Sequence, residues 1–175
     1  MRKRLKLLID TREGLPLDEF KEGIFDEIIR EGLPCADYWG AVSEDGGEWK
    51  QFPLSFERKG KPDLWQTFAT KEGHRRFRTM LEKADKAGMK VILLIEGTMM
   101  EIFEGIKQSQ FTGDSMLKLL ATMRIRHDLE YHFCESRRAM CRLIEDWFKA
   151  LAKEWSTNKE PHSPLPNHEA SSDAV

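Results

Sequence analysis

Asp37-Tyr38-Trp39-Gly40-Ala41-Val42, the turn Glu44-Asp45-Gly46-Gly47, and Phe52-Pro53-Leu54-Ser55-Phe56-Glu57-Arg58-Lys59 are the stretch from which the rest of the chain is read. An acidic, glycine-rich turn between two runs of β-favouring residues signals a hairpin. Its first arm reads as a strand from Tyr38 to Val42, and the return arm as a strand from about Trp49 to Lys59. Alternation puts Phe52, Leu54, Phe56 and Arg58 on one face of the return arm, and Ser55, Glu57 and Lys59 on the other. Pro53 cannot donate to a ladder, so this arm is expected at a sheet edge or with a bulge. Folding about Gly46-Gly47 sets Asp37 opposite the neighbourhood of Phe56, within about a residue of Glu57.

Two carboxylates and an ammonium therefore converge whatever the rest of the fold. A hard divalent cation, Mg²⁺ or Mn²⁺, takes carboxylate oxygens, and a Lys beside it can offset charge on a phosphate under attack. Asp37 and Glu57 are the expected metal ligands, together with the carbonyl of Arg58. Lys59 is expected to orient the attacking water or stabilise the phosphate. Asp10 and Glu13, at the end of the first strand, are candidates for a further carboxylate. Each signal alone is ordinary. An Asp near a strand start is commonly a turn residue, Glu-Arg-Lys is commonly a solvated charge run, Asp63 after Pro62 suits a helix N-cap, and Glu96 simply finishes a strand. Their joint placement on one hairpin carries the reading, which is metal-dependent hydrolysis of a phosphodiester.

Outward from the hairpin, Leu5 to Ile9 is a short apolar run ending in Asp10-Thr11-Arg12-Glu13, a buried strand with a polar end. Phe20, Ile24 and Ile28 have helical spacing and predict a helix from Asp18 to Glu31, stopped by Gly32-Leu33-Pro34. Phe77, Met80, Leu81 and Ala84 form one face of a helix closed by Gly88. Val91 to Ile95 lacks alternation and predicts a central strand covered on both faces. Met116 to Met123 predicts a helix begun by Thr112 or Asp114, and Leu129 to Phe133 a last strand. Met140 to Trp155 traces a long amphipathic helix. The order β-α-β-β-α-β-α-α-β-α is an α/β fold, a mixed sheet with helices on both faces.

With 175 residues the chain fits one domain, expected over 1–155. Residues 156–175 hold three of the seven prolines and little that could pack, so a disordered tail is expected there. No apolar run approaches the roughly 20 residues of a membrane span. Three cysteines without Cys-x-x-Cys spacing argue against a zinc site or disulfide framework and fit a reducing compartment. The expected location is the cytoplasm of a bacterial or phage-infected cell, or the nucleus of a eukaryote. The net charge of −2 gives no global pull toward polyanions, but Arg75, Arg76 and Arg78 form a local basic cluster that would contact DNA if it flanks the site. His74, His127 and His132 lack a metal-binding spacing. Met99 and Met100 are expected in the core. Trp147, Phe148 and Trp155 offer more aromatic area than one buried face needs, which suggests a homodimer contact through the last helix.

The sequence also resembles a known family. Asp37-Tyr38, then Glu57-Arg58-Lys59 and, three residues on, Asp63-Leu64 are similar to the signature of XPF-type structure-specific endonucleases, Gly-Asp, a spacer, Glu-Arg-Lys-x-x-x-Asp. The likeness extends to Leu8-Ile9-Asp10-Thr11-Arg12-Glu13, to Phe77 through Gly88 and to Val91 through Gly97, and covers roughly Leu5 to Ala152. It implies a restriction-endonuclease-like fold, Mg²⁺ or Mn²⁺ dependence, and incision of duplex DNA beside a single-strand junction, in repair or recombination. By that likeness Asp37 and Glu57 are metal ligands, and Lys59, Arg58, Asp63, Asp10 and Arg12 belong to the catalytic site. Ala36 stands where the family has Gly, a position that serves backbone geometry. A C-terminal tandem helix-hairpin-helix module is missing, so a stand-alone nuclease of bacterial or phage type is expected, without a fixed branched-substrate preference. The rival expectation is a non-catalytic module of the same fold that binds DNA or a protein partner. Retention of both carboxylates with the Lys speaks against it, because buried like charges without a cation are costly.

Overall fold

The computed structural model describes residues 2–155; the expected tail, 156–175, lies outside the described residues. Six strands form one sheet: β1 (Lys3–Asp10), β2 (Glu27–Glu31), β3 (Tyr38–Glu44), β4 (Lys50–Lys59), β5 (Lys90–Glu96) and β6 (Glu130–Cys134). Their order is β2-β1-β3-β4-β5-β6. β3 is antiparallel to both β1 and β4, while β1–β2, β4–β5 and β5–β6 are parallel, so the sheet is mixed as expected. The helices are α1 (Lys61–Phe68), α2 (Lys71–Lys86), α3 (Met99–Glu104), α4 (Gly113–His127) and α5 (Arg137–Glu154). No helix is long and apolar enough to cross a membrane.

Strand alternation sorts the apolar side chains onto two faces. Leu7 and Ile9 of β1, Phe52, Leu54 and Phe56 of β4, and Ile92 and Leu94 of β5 pack against Met140, Ile144 and Phe148 of α5. On the other face Leu93 and Ile95 meet α1, α2 and α4 through Leu64, Phe77, Met116 and Leu120. Leu8, Trp39 and Val91 continue that layer beneath Ala84 of α2. Helices thus cover both faces, and β5, buried from Val91 to Ile95, lies between β4 and β6 as its unbroken apolar run predicts. The Phe148 ring lies over Gly40, where an added Cβ would stand 2.7 Å from it.

Four expectations about elements are corrected. The segment from Asp18 to Glu31 is not a helix; its end is the strand β2, paired parallel to β1 from Lys6↔Glu27 to Asp10↔Glu31. Two helices, not one, join β4 to β5. The first starts after Gly60, so Asp63 lies in its first turn rather than at its N-cap. Met99 and Met100 are exposed on α3 with Phe103, not in the core. β4 is interior, and Pro53 is accommodated by the alternative that was open: the β3–β4 register shifts between Trp39↔Ser55 and Ala41↔Gln51, a bulge. Trp147 packs edge-on against Phe56, and Trp155 against Phe52. Both indoles pack against this core and stay partly exposed.

Candidate active site

The hairpin delivers its polar residues as its register dictates. Tyr38 pairs with Phe56, and the Asp37 N–H donates to the Phe56 carbonyl at 2.9 Å, which seats Asp37 across from Glu57. On the other side the Asp10 N–H donates to the Asp37 carbonyl at 2.8 Å. Asp10, Asp37 and Glu57 therefore sit side by side on adjacent strands, on the face that α2 covers. They line one cavity of about 560 Å³, whose far wall includes Arg75, Arg76 and Lys83 of α2.

Asp37 is the most perturbed carboxyl there. Burial, and then the neighbouring Glu57 charge, push its pKa up to about 8, although the Arg58 N–H donates to its Oδ2 at 2.8 Å. Lys59 Nζ lies 2.7 Å from Glu57 Oε1. Burial pulls the ammonium down, but Glu57, Asp37 and Asp63 outweigh it, so Lys59 stays charged above the ordinary lysine value. Glu57 is thus held by one cation, while Asp37 has a backbone donor and no ion pair among the described residues.

Two of the candidate acids do other work. Asp10 accepts from Arg12 through the backbone N–H at 2.8 Å and through the guanidinium Nε at 2.9 Å. Burial raises its pKa, but these bonds outweigh burial and hold it below the ordinary value. Asp10 lines the cavity, yet its carboxylate is committed to Arg12. Glu13 does not line the cavity with the pair, although its charge adds to the rise in the Asp37 pKa. It lies under the opposite face, where its Oε1 meets the buried Arg58 guanidinium at 3.0 Å. Arg58 also reaches Glu96 at 3.0 Å, so its side chain faces away from Asp37 and Glu57 while its backbone N–H holds Asp37. Burial opposes the charge of Arg58, but Glu13 and Glu96 keep it fully cationic.

Of the arginine cluster, Arg75 and Arg76 line the cavity. Arg78 is turned elsewhere and is felt by His74, whose pKa is lowered first by burial and then by Arg78 and His127. Sequence reasoning missed Lys83 and the bracing role of Glu96. Arg76, Thr79 and Lys83 recur at helical spacing beside the apolar face of α2, a signal present but not read. Among the described residues, no group of three or more His, Cys, Asp or Glu side chains is placed to hold a metal. The carboxylates that the hairpin brings together are the pair Asp37 and Glu57.

Residues 9–146 match the family model of the ERCC4 domain. No curated protein matches the chain. Among solved structures the chain is similar to XPF from Aeropyrum pernix, at 16% identity and a TM-score of 0.59, over 82% of this chain and 65% of that one. It is similar to the same protein in a complex with DNA, at 16% identity and a TM-score of 0.62, over 86% and 66% of the two chains. The chain therefore spans about two thirds of the length of that protein. At this identity the likeness shows the fold, the restriction-endonuclease-like fold of XPF nucleases. The family model covers most of the sheet and the whole hairpin that carries Asp37, Glu57 and Lys59, and the chain belongs to the ERCC4 domain family.

Proposed function

We propose that the chain is a divalent-metal-dependent DNA endonuclease that hydrolyses phosphodiester bonds, at branched or junction DNA in repair or recombination. One observation carries this reading: Asp37 and Glu57 line one cavity, and Asp37 is held near pKa 8 by burial beside a second carboxylate. Such an arrangement is costly on its own and is relieved by a cation. The pair fits Mg²⁺ or Mn²⁺, because Mg²⁺ is commonly held by one or two carboxylates and keeps several waters. When bound, the cation would polarise the phosphate and lower the pKa of its water.

The chain's own residues do the rest. Asp37, its proton given up to solvent, would hold the cation together with Glu57, and the Arg58 N–H fixes which way its carboxylate points. Arg58, clamped by Glu13 and Glu96, stiffens the strand end that presents both Asp37 and Glu57. Lys59 keeps a charged ammonium beside Glu57 and lowers the cost of negative charge gathering on the phosphate. Arg75 and Arg76 face the carboxylates across the cavity and suit backbone phosphates. That the similar XPF structure is a complex with DNA supports the choice of nucleic acid.

The test is incubation with labelled flap, fork, Holliday-junction, duplex and single-stranded DNAs in Mg²⁺ or Mn²⁺. Incision of at least one, stopped by excess EDTA, is expected. Tight binding with no incision under either metal would replace this reading with the non-catalytic binding module.

A further inference from the structure

The cavity at Asp37 does not stop at Glu57. A second cleft of about 490 Å³ opens beyond it, and Glu57, Arg76 and Met80 line both. The two differ in charge. In the first, Arg12 is paired with Asp10 and Arg76 with Glu72, whereas Arg75 and Lys83 have no ion pair among the described residues. In the second, Lys59 is committed to Glu57, and Asp63 has no ion pair among the described residues. Glu72, paired with Arg76, also lines the second cleft with Thr70 and Gly73, and Gln66 and Thr67 from α1 rim it over Phe77 and Met80 from α2.

The two clefts therefore suit different parts of a nucleotide. Uncommitted cations on exposed α2 positions attract phosphate. An uncommitted carboxylate repels phosphate, while an amide and a hydroxyl over an apolar floor match the flat body and hydrogen-bonding edge of a nucleobase. The α1–α2 corner that shapes this cleft is built for close approach. A Cβ at Gly73 would stand 2.4 Å from the Gln66 carbonyl oxygen.

We propose that the chain grips a nucleic-acid strand asymmetrically about Glu57, holding phosphates on one side with Arg75 and Lys83 and an unstacked nucleobase on the other in the Gln66–Thr67 cleft. The proposal deepens the nuclease reading and rests on it in placing the cut bond at Glu57. Its test is made on binding, so the two fail separately.

The probe is a fluorescently labelled fork DNA, together with versions carrying one abasic site stepped along one strand and then the other. Affinity is measured by anisotropy across a salt series. The wild-type chain is expected to bind the intact fork several-fold more tightly than the version lacking a base at one position beside the cut. Gln66→Ala with Thr67→Val should erase that preference and leave the salt slope unchanged. Arg75→Ala with Lys83→Ala should keep the preference and flatten the slope of log K against log salt by about 1.5, as loss of two phosphate contacts requires. All four side chains lie on the helix surface facing the clefts, and a melting curve for each variant is the check that it folds. Equal tolerance of every abasic site by wild type, an equal slope change in both variants, or no DNA binding would overturn the proposal. Asymmetric binding without incision would sink the nuclease reading and leave this one standing. Incision with no base preference would do the reverse.

Discussion

At Asp37 the physics of one side chain predicts behaviour of the whole protein. Its folded pKa, about 8, lies above the unfolded value of 3.8. Between these values the folded chain keeps a proton that the unfolded chain has lost, so stability from this group is present at low pH and falls as pH rises toward 8. In metal-free buffer Asp37→Asn should therefore flatten the fall in stability between about pH 4 and pH 8 relative to wild type, read by urea unfolding at several pH values. An identical pH profile in the two proteins would show that Asp37 is not buried beside a charged Glu57. The neighbour Ala36 has φ 56°, a left-handed conformation that costs a side chain roughly 1–2 kcal/mol. This is the physical reason for the Gly expected there by family resemblance. Ala36→Gly should stabilise by about 1 kcal/mol, raising Tm by about 2–4 °C, which calorimetry can check.

Among the elements, α5 and the connection it pins decide whether the sheet closes around the site. Glu145 is buried in α5 and accepts from the Lys21 N–H at 2.5 Å, anchoring the long path from β1 to β2. Glu145→Ala leaves that donor and the Arg142 guanidinium without a partner and should cost about 2–3 kcal/mol in denaturant unfolding. Gly40→Ala would drive a methyl into the Phe148 ring and should cost about 1–3 kcal/mol. The same connection shows where sequence pattern gave way to tertiary contacts. Phe20, Ile24 and Ile28 have helical spacing, but Gly23 takes a positive φ, and Asp26 exchanges hydrogen bonds with Leu5 through both its N–H and its carboxylate. Those bonds start β2 on the edge of β1 and leave Ile28 exposed. Strand pairing outweighed a periodicity of three residues, and no local signal in the segment announced it. The helices α2 and α4 were legible because their ends carry local signals, whereas α1, which starts after Gly60 without a side-chain cap, was not. Thr112 accepts from the Ser115 N–H, and Gly88 takes the left-handed conformation that follows α2.

For the whole molecule, the hairpin was enough to bring Asp37, Glu57 and Lys59 together, because antiparallel register is fixed by the turn and by which face is apolar. Contacts made through the third dimension could not be read that way. Glu13 follows β1, two strands away from β4, and Glu96 ends β5, the parallel neighbour of β4; both are far from Arg58 in sequence, and only the order of strands in the sheet brings them to its guanidinium. Likewise Arg75, Arg76 and Lys83 share α2, but they reach the carboxylates only because that helix lies across this face of the sheet. The account stands on the claim that Asp37 and Glu57 act together on a cation. Its most direct measurement is metal-dependent incision of a labelled DNA substrate by wild type, Glu57→Gln and Lys59→Ala in parallel, with DNA affinity measured for each. Wild type should cut in Mg²⁺ or Mn²⁺, Glu57→Gln should lose incision while still binding DNA, and Lys59→Ala should be slowed by about 10²-fold or more with the metal requirement unchanged. Incision by Glu57→Gln at the wild-type rate and metal concentration would contradict the account.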